Sequence, residues 1–254
     1  MKVGMIGAGN MGFALLTAMT PHADLYVYDI NPACCERASR CCQAHIQNSV
    51  AAVVEASEYV IVAVKPQFLG DIISELRVSW REDKVLISIV AGKSLADWQQ
   101  ILGPQAQIAR VMPNTSAQVG EAMNTVCFSK AVADPKAVTQ LLEHTGKVLE
   151  IQENLMDIAT GIAGCGPAFV YVLIEAMADA GVAGGLFRDQ AYALAAQTVL
   201  GAAKMVQESG QHPAALKDAV CSPGGLTIKG VLALEKYGFR HSIEQAVLAT
   251  MKDL

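Results

Sequence analysis

Short apolar runs alternate with segments of helical period through roughly the first half of the chain. The runs are rich in Val, Ile, Leu and Tyr, which are typical of β-strands. They predict strands over Lys2–Ile6, Leu25–Tyr28, Tyr59–Val64, Lys84–Ile89, Gln107–Val111, Thr125–Phe128 and Lys147–Ile151. Because strands that alternate with helices build βαβ units, this pattern predicts a largely parallel sheet.

The β pattern stops near Gln152, and patterns rich in Ala, Leu and Gly follow. They predict helices over Pro167–Ala180, Arg188–Ser209, Pro213–Val220, Thr227–Lys236 and Arg240–Met251. We therefore expect an α/β domain over residues 1–151 and an all-helical domain over residues 152–254. Helices with so few charges would expose apolar surface if they packed alone, so we expect dimerisation through the helical half.

Composition narrows the class of protein. Hydrophobic residues make up 52% of the 254 residues, charged residues 17%, and the formal net charge is −5. This acidic balance argues against a nucleic-acid partner. The longest apolar stretch, Ala163–Ala178, is interrupted by Gly164, Gly166, Pro167 and Glu175, so we expect no membrane span. The absence of a basic-then-apolar leader predicts a cytoplasmic protein.

The seven cysteines do not suggest disulfides or a metal site. In a chain without a leader they are expected to be reduced thiols. Cys34, Cys35, Cys41 and Cys42 form two adjacent pairs with only His45 nearby, which differs from the spacing of zinc sites. We expect no metal.

A glycine-rich segment, Gly7-Ala8-Gly9-Asn10-Met11-Gly12, follows the first strand directly and opens a helix. In that context the three glycines allow a tight turn, close approach of the backbone to a pyrophosphate, and close contact of helix and strand. The motif predicts dinucleotide binding, and a glycine turn without a ligand is the alternative.

Residues after later strands bear on the same cofactor. Asp29 closes the second strand, where an acid accepts ribose hydroxyls and favours NADH, whereas Arg37 and Arg40 favour a 2′-phosphate, so the choice between NADH and NADPH stays open. Lys65 follows a strand and is either a cofactor contact or a surface lysine. Gly92-Lys93-Ser94 is not a P-loop, because Ile87 stands where that motif needs its first glycine.

A second unusual segment, Cys221-Ser222-Pro223-Gly224-Gly225-Leu226-Thr227, separates two helical patterns. Pro223 cannot continue the first helix, and the glycines free the backbone for close approach to something small. The next helix begins with unpaired N–H groups, which suit a carboxylate or a phosphate. The alternative is an ordinary helix–helix turn.

These features together resemble the pyrroline-5-carboxylate reductase family from end to end. The resemblance rests on Gly7–Gly12, Ala63-Val64-Lys65-Pro66, Arg110-Val111-Met112-Pro113-Asn114-Thr115, Gly164-Cys165-Gly166-Pro167-Ala168, and Leu216-Lys217-Asp218 leading into Ser222–Thr227. It implies an N-terminal Rossmann-like dinucleotide-binding domain, a C-terminal helical dimerisation domain, and reduction of 1-pyrroline-5-carboxylate to L-proline with NADPH or NADH in a homodimer or a larger homo-oligomer.

Residue by residue, the resemblance implies a cofactor side and a substrate side. The implied cofactor contacts are Ile6, Gly7, Ala8, Gly9, Asn10, Met11, Asn31, Asn48, Ala63, Val64, Lys65, Ala91 and Gly92. The implied substrate contacts are Ser222, Gly224, Gly225, Leu226, Thr227 and Glu153. Two residues depart from the family pattern: Leu226 stands where Thr or Ala is common, and Cys165 replaces a Ser.

The chemistry gives Thr227 the catalytic role. Hydride addition to an imine needs orientation and a partner for the ring nitrogen more than a strong acid, and the Thr227 hydroxyl can hydrogen-bond that nitrogen. A β-hydroxyacid dehydrogenase would need a lysine at Val170, and no lysine occurs over residues 152–203. A nucleotide sensor without catalysis would need a DNA-binding element, and none is visible.

Overall fold

The computed structural model describes residues 1–251 and groups the chain into two compact units, Met1–Gly164 and a second that begins at Cys165. Residues 252–254, which belong to the predicted helical domain, lie outside the described residues. The predicted division between residues 151 and 152 stays a prediction. By contacts, the division falls later, because residues 153–164 pack with the first unit.

The first unit is built on one sheet that, among residues 1–251, has eight strands. They are β1 (Lys2–Ile6), β2 (Asp24–Tyr28), β3 (His45–Ile46), β4 (Tyr59–Val62), β5 (Val85–Ser88), β6 (Gln107–Met112), β7 (Ala122–Phe128) and β8 (Gly146–Glu150). Their spatial order is β3-β2-β1-β4-β5-β6-β7-β8, and every pair is parallel except β6 with β7. The largely parallel sheet expected from the sequence is confirmed.

Helices cover both faces of this sheet. They are α1 (Asn10–Met19), α2 (Pro32–Cys42), α3 (Val50–Ala56), α4 (Leu69–Ser79), α5 (Leu95–Leu102) and α6 (Pro135–Glu143). Neighbouring residues of one strand point to opposite faces, so Ile61 belongs to one apolar core while Val60 and Val62 belong to the other. Burial on both faces explains why the strands read as continuous apolar runs.

The segment after β8 is helical and stays with the first unit. It consists of a 3₁₀ turn (Glu153–Leu155), the short helix α7 (Met156–Ala159) and a π-helical stretch (Thr160–Gly164). Asn114 ties it down by donating from Nδ2 to the carbonyl oxygen of Ala163 at 2.8 Å. No pattern in the sequence predicted this packing.

The second unit is entirely helical in its described part. It contains α8 (Gly166–Ala183), α9 (Arg188–Ser209), α10 (Pro213–Ala219), α11 (Leu226–Lys236) and α12 (Phe239–Leu248). The helical half predicted from the sequence is therefore confirmed. The α8 helix and the segment before it form a helical run, Glu153–Ala183, that is long and apolar enough to cross a membrane by length and composition, and few residues of its apolar window are buried. The π-helical stretch ends at Gly164, and α8 begins at Gly166 with Pro167 in its first turn, where the missing N–H costs nothing. The predicted interruption at Gly164, Gly166 and Pro167 therefore coincides with a boundary between two elements, and the absence of a membrane span stays an expectation.

Candidate active site

The turn between β1 and α1 is shaped by its glycines. Gly7 has a φ of 96° and donates its N–H to the carbonyl oxygen of Tyr28 at 2.8 Å. A Cβ on Gly7 would lie 3.0 Å from the Ala63 backbone, and one on Gly12 would collide with the Gly7 carbonyl oxygen. A Cβ on Gly9 would meet nothing within 4 Å. The first and third glycines therefore allow close packing, and the second leaves the turn open to a ligand.

The start of α1 offers hydrogen-bond donors to that ligand. Gly9 is the N-cap residue and no side chain caps the helix. The N–H groups of the first turn are left for an anion, and the helix dipole favours negative charge there. The turn and the helix start together fit a dinucleotide pyrophosphate.

Two charged side chains hold the turn at Ala8. The Ala8 N–H donates to Asp29 Oδ2 at 2.6 Å, and Arg37 Nη2 donates to the Ala8 carbonyl oxygen at 2.9 Å. Asp29 Oδ1 also accepts the N–H of Asn31 at 2.8 Å. The Arg37 guanidinium lies over the Phe13 ring, 4.0 Å from its centroid. Residues after β2 and on α2 thus fix the conformation of the glycine turn.

A cavity of about 390 Å³ opens beside this turn, at the carboxyl ends of β1, β2 and β4. The strand order reverses between β1 and β4, which is where open α/β sheets bind ligands. Seven of the predicted cofactor residues line the cavity: Ile6, Gly7, Gly9, Asn31, Ala63, Val64 and Lys65. The structure therefore brings together residues that lie far apart in the sequence.

The other predicted cofactor residues lie outside that lining. They are Ala8, Asn10, Met11, Asn48, Ala91 and Gly92. The Ala8 N–H is already bound to Asp29. Asn10 lines a smaller cavity together with Phe13 and Arg37. Asn48 is exposed and lies two residues before Val50, which lines the larger cavity. Their roles toward a cofactor stay predictions.

The segment after β5 is a helix start. Gly92 has a φ of 73°, and Ser94 caps α5 in a reciprocal box, in which Asp97 accepts the Ser94 N–H at 2.9 Å and Ser94 Oγ accepts the Asp97 N–H at 3.0 Å. The hydrogen bonds with Ser94 lower the pKa of Asp97 below its usual range. Ser94 is therefore the N-cap residue of α5, and its hydroxyl is used in the capping box.

Half of the residues in the cavity wall were not predicted from the sequence. The residues not predicted are Tyr28, Ile30, Cys34, Val50, Phe68, Asp71, Ile72 and Glu75, and Asp29 also lines the cavity. Ile30 directly follows Asp29 after β2 and is 84% exposed, but a single apolar residue in a loop gives no signal in the sequence. The α4 residues had no local signal, since only the fold brings them to the cavity.

Glu153, a predicted substrate contact, has protein partners within the first unit. Its Oε1 accepts the Leu95 N–H at the start of α5 at 2.7 Å and pairs with Arg110 Nη1 at 3.1 Å. Arg110 is buried in β6, and its Nη2 also pairs with the exposed Asp157 at 3.4 Å. Burial and the charge of Glu153 raise the pKa of the neighbouring Cys127 thiol to about 11. The substrate role of Glu153 stays a prediction.

The predicted substrate loop of the second unit leads into α11 as expected. Gly224 has a φ of 70°, and Gly225 is the N-cap of α11 with no side-chain cap. A Cβ on Gly225 would lie 2.5 Å from Ser222 Oγ, so that hydroxyl lies beside the helix start. Leu226 and Thr227 are both exposed in the first turn. The uncapped N–H groups can hold a carboxylate, and Thr227 adds a hydroxyl.

The clustered cysteines have separate neighbours. Cys34 lines the cavity, Cys35 Sγ accepts the Asp29 N–H at 3.2 Å, and Cys42 Sγ lies 3.5 Å from Thr17 Oγ1. All seven cysteines are free thiols. Over residues 1–251, no group of three His, Cys, Asp or Glu side chains is arranged to hold a metal ion.

Comparison with known proteins gives a different family model for each part of the chain, and relatives of one family over nearly its whole length. Residues 153–254 match the family described as pyrroline-5-carboxylate reductase dimerisation, and residues 2–92 match the family described as NADP oxidoreductase, coenzyme F420-dependent. The pyrroline-5-carboxylate reductase of Pisum sativum is 42% identical over 98% of this chain and 93% of its own length. That of Escherichia coli is 38% identical over 99% and 96%. The crystal structure of Plasmodium falciparum pyrroline carboxylate reductase with NADP bound has a TM-score of 0.87 at 34% identity and covers 98% of this chain and 95% of that one.

Proposed function

The chain belongs to the pyrroline-5-carboxylate reductase family, and from this premise we propose that it reduces 1-pyrroline-5-carboxylate to L-proline, the last step of proline biosynthesis. NADPH or NADH is the hydride donor. The observation that carries the proposal within the fold is the glycine turn, open at Gly9 and closed by packing at Gly7 and Gly12, beside a cavity at the switch point of the sheet.

The cofactor side lies in the first unit. We propose that the pyrophosphate binds at the start of α1, held by backbone N–H groups from Gly9 onward. Asn31, Val64 and Lys65 line the cavity beside it and are proposed contacts, together with the backbone at Ala91 and Gly92. The bound cofactor supplies the hydride, and the work of these residues is to hold it in one orientation.

The substrate side lies in the second unit, at the start of α11. The substrate carboxylate would accept hydrogen bonds from the uncapped N–H groups after Gly225, assisted by the Ser222 hydroxyl. The Thr227 hydroxyl would hydrogen-bond the ring nitrogen, which gains its proton as the carbon–nitrogen double bond is reduced. An imine nitrogen is basic enough that positioning, more than acid strength, carries this step.

The apolar face of the second unit is the proposed subunit interface. Tyr171 and Val172 of α8 and Leu194 and Leu200 of α9 are exposed, and this part of the chain matches a dimerisation family. An exposed apolar surface of this kind is covered in a soluble oligomer. We propose a homodimer or a larger homo-oligomer in the cytoplasm, where seven free thiols are stable, with neither a membrane nor a nucleic acid as partner.

The test of the function is loss of absorbance at 340 nm with purified protein, 1-pyrroline-5-carboxylate, and NADH or NADPH in parallel. A decrease that requires both imine and protein supports the reductase. Binding of either dinucleotide without any turnover of the imine would contradict it and favour a sensor. Sedimentation velocity on the same sample tests the dimer, and a monomer at micromolar concentration would contradict the proposed interface.

A further inference from the structure

Asp29 places a fixed negative charge in the wall of the cofactor cavity. Its two carboxylate oxygens accept the backbone N–H groups of Ala8 and Asn31 at 2.6 and 2.8 Å, which hold the carboxylate against the glycine turn. Each oxygen keeps a further lone pair for a ligand hydroxyl. The carboxylate thus lies at the carboxyl end of β2, where the adenosine ribose binds in this type of fold.

The charges around the cavity are predominantly acidic. Among the described residues, its lining holds three carboxylates, Asp29, Asp71 and Glu75, and one cationic side chain, Lys65. Glu75 is fixed in place, because its Oε1 accepts the Ala51 N–H at 3.0 Å. A 2′-phosphate would bring up to two further negative charges into this wall.

The arginines that would favour a 2′-phosphate do not lie in that wall. Arg37 is engaged with the Ala8 carbonyl oxygen and the Phe13 ring, and it lines the smaller cavity beside α1. Arg40 is exposed one helical turn further along α2 and lines neither cavity. The positive charge on α2 therefore supports the glycine turn and does not form a phosphate pocket beside Asp29.

From these observations we propose that Asp29 is the specificity-determining residue for the cofactor and that this chain prefers NADH over NADPH. The inference rests on the proposed function, since it concerns the same dinucleotide site. NADP in the Plasmodium falciparum relative shows that the fold as such accommodates the phosphate. The preference is a property of the residues at the end of β2 in this chain.

The test compares dissociation constants for NADH and NADPH, measured by titration calorimetry on the full chain without imine. We expect the wild-type protein to bind NADH at least about ten-fold more tightly than NADPH. Asp29→Asn and Asp29→Ser should reduce this ratio to about three or less, chiefly through tighter binding of NADPH. The matched control is Asp24→Asn, which removes the same charge from the exposed start of β2 and should leave the ratio unchanged.

The outcomes separate this inference from the proposed function. Tighter binding of NADPH to the wild-type protein would overturn the inference and leave the reductase proposal intact. An unchanged ratio in both Asp29 variants, with normal circular dichroism and retained NADH binding, would also overturn it. Failure of the wild-type protein to bind either dinucleotide would overturn both.

Discussion

Asp29 and Arg37 hold the same residue, Ala8, from its two sides. The carboxylate accepts the Ala8 N–H at 2.6 Å, and the guanidinium donates to the Ala8 carbonyl oxygen at 2.9 Å. Residues from the end of β2 and from α2 therefore determine the shape of a turn that lies between β1 and α1. The backbone of the glycine turn is thus held by two side chains from outside the segment Gly7–Gly12.

Replacing Arg37 with methionine should loosen this turn. The change removes a charge-assisted hydrogen bond and the contact with Phe13 while keeping most of the aliphatic stem, so we expect a loss of about 1–2 kcal/mol in the free energy of unfolding. Dinucleotide affinity should fall several-fold for NADH and NADPH alike. Urea denaturation and calorimetric titration measure the two effects. Arg40→Met, on the exposed side of the same helix, is the control, and equal losses in both variants would contradict the assignment.

Glu153→Gln should destabilise the first unit. Among the described residues, it leaves Arg110, a buried arginine in β6, with the exposed Asp157 as its one remaining ion-pair partner. We expect the free energy of unfolding to fall by about 1–2 kcal/mol. This is less than for a fully buried pair, because the Glu153 side chain is one-third exposed. Asp157→Asn should lower the free energy of unfolding by less than about 0.5 kcal/mol, since that carboxylate is 75% exposed. Urea denaturation of both variants decides the point, and an effect of Asp157→Asn as large as that of Glu153→Gln would refute it.

The stacked rings of His22 and His144 should make stability depend on pH. Their centroids lie 3.7 Å apart, and burial together with the charge of His22 lowers the pKa of His144 below its usual value. Between the lowered pKa and the ordinary value near 6.5, the unfolded chain binds more protons than the folded one, so the free energy of unfolding falls as pH falls through this range. Because His144 is exposed, this decrease in the free energy of unfolding should stay below about 1 kcal/mol.

His144→Gln provides the measurement for this effect. The difference in unfolding free energy between pH 7.5 and pH 5.5 should be smaller in the variant than in the wild-type protein. His241→Gln, on α12, is the control and should keep the wild-type difference. If the His144 variant keeps it too, the histidine pair does not cause the pH dependence.

Thr227→Ala should lower turnover while leaving cofactor binding nearly unchanged. The variant loses the hydroxyl proposed to hydrogen-bond the ring nitrogen, and we expect kcat to fall by about 10²-fold, the scale for one positioned donor. Steady-state kinetics at 340 nm and NADH titration measure the two quantities. Thr139→Ala, on α6 of the first unit, is the control for losing a helical threonine hydroxyl. Equal turnover in Thr227→Ala and the wild-type protein would remove Thr227 from the mechanism.

The sequence predicted those parts of the fold that have strong local patterns. The helix over Arg188–Ser209 has the predicted bounds, and so does β1. The strand β8 begins and ends one residue before its predicted bounds. It missed β3, because two residues, His45 and Ile46, carry no periodicity. It did not foresee that β7 runs antiparallel to β6, since strand direction depends on how the chain crosses the sheet.

The candidate site shows the same division between local and long-range information. The turn at Gly7–Gly12 is visible in the sequence because its motif is contiguous. The ties of Asp29 and Arg37 to Ala8 are not, since they join residues 21 and 29 positions apart through tertiary packing. Glu153 was expected at the substrate from family resemblance alone, and its contacts with Leu95 and Arg110 depend on a segment whose helical structure the sequence did not indicate.

The ion pair between Arg110 and Glu153 also decides where the nucleotide-binding half can be cut from the whole chain. A fragment that stops at Ile151 would end just after the last strand, but it would lack Glu153 and Asp157, the two ion-pair partners of the buried Arg110, and the acceptor of the Leu95 N–H. A fragment that ends at Gly164 keeps both, along with the bond from Asn114 to Ala163. The shorter piece should aggregate when expressed, whereas the longer one is the natural starting point for a separate NADH-binding protein.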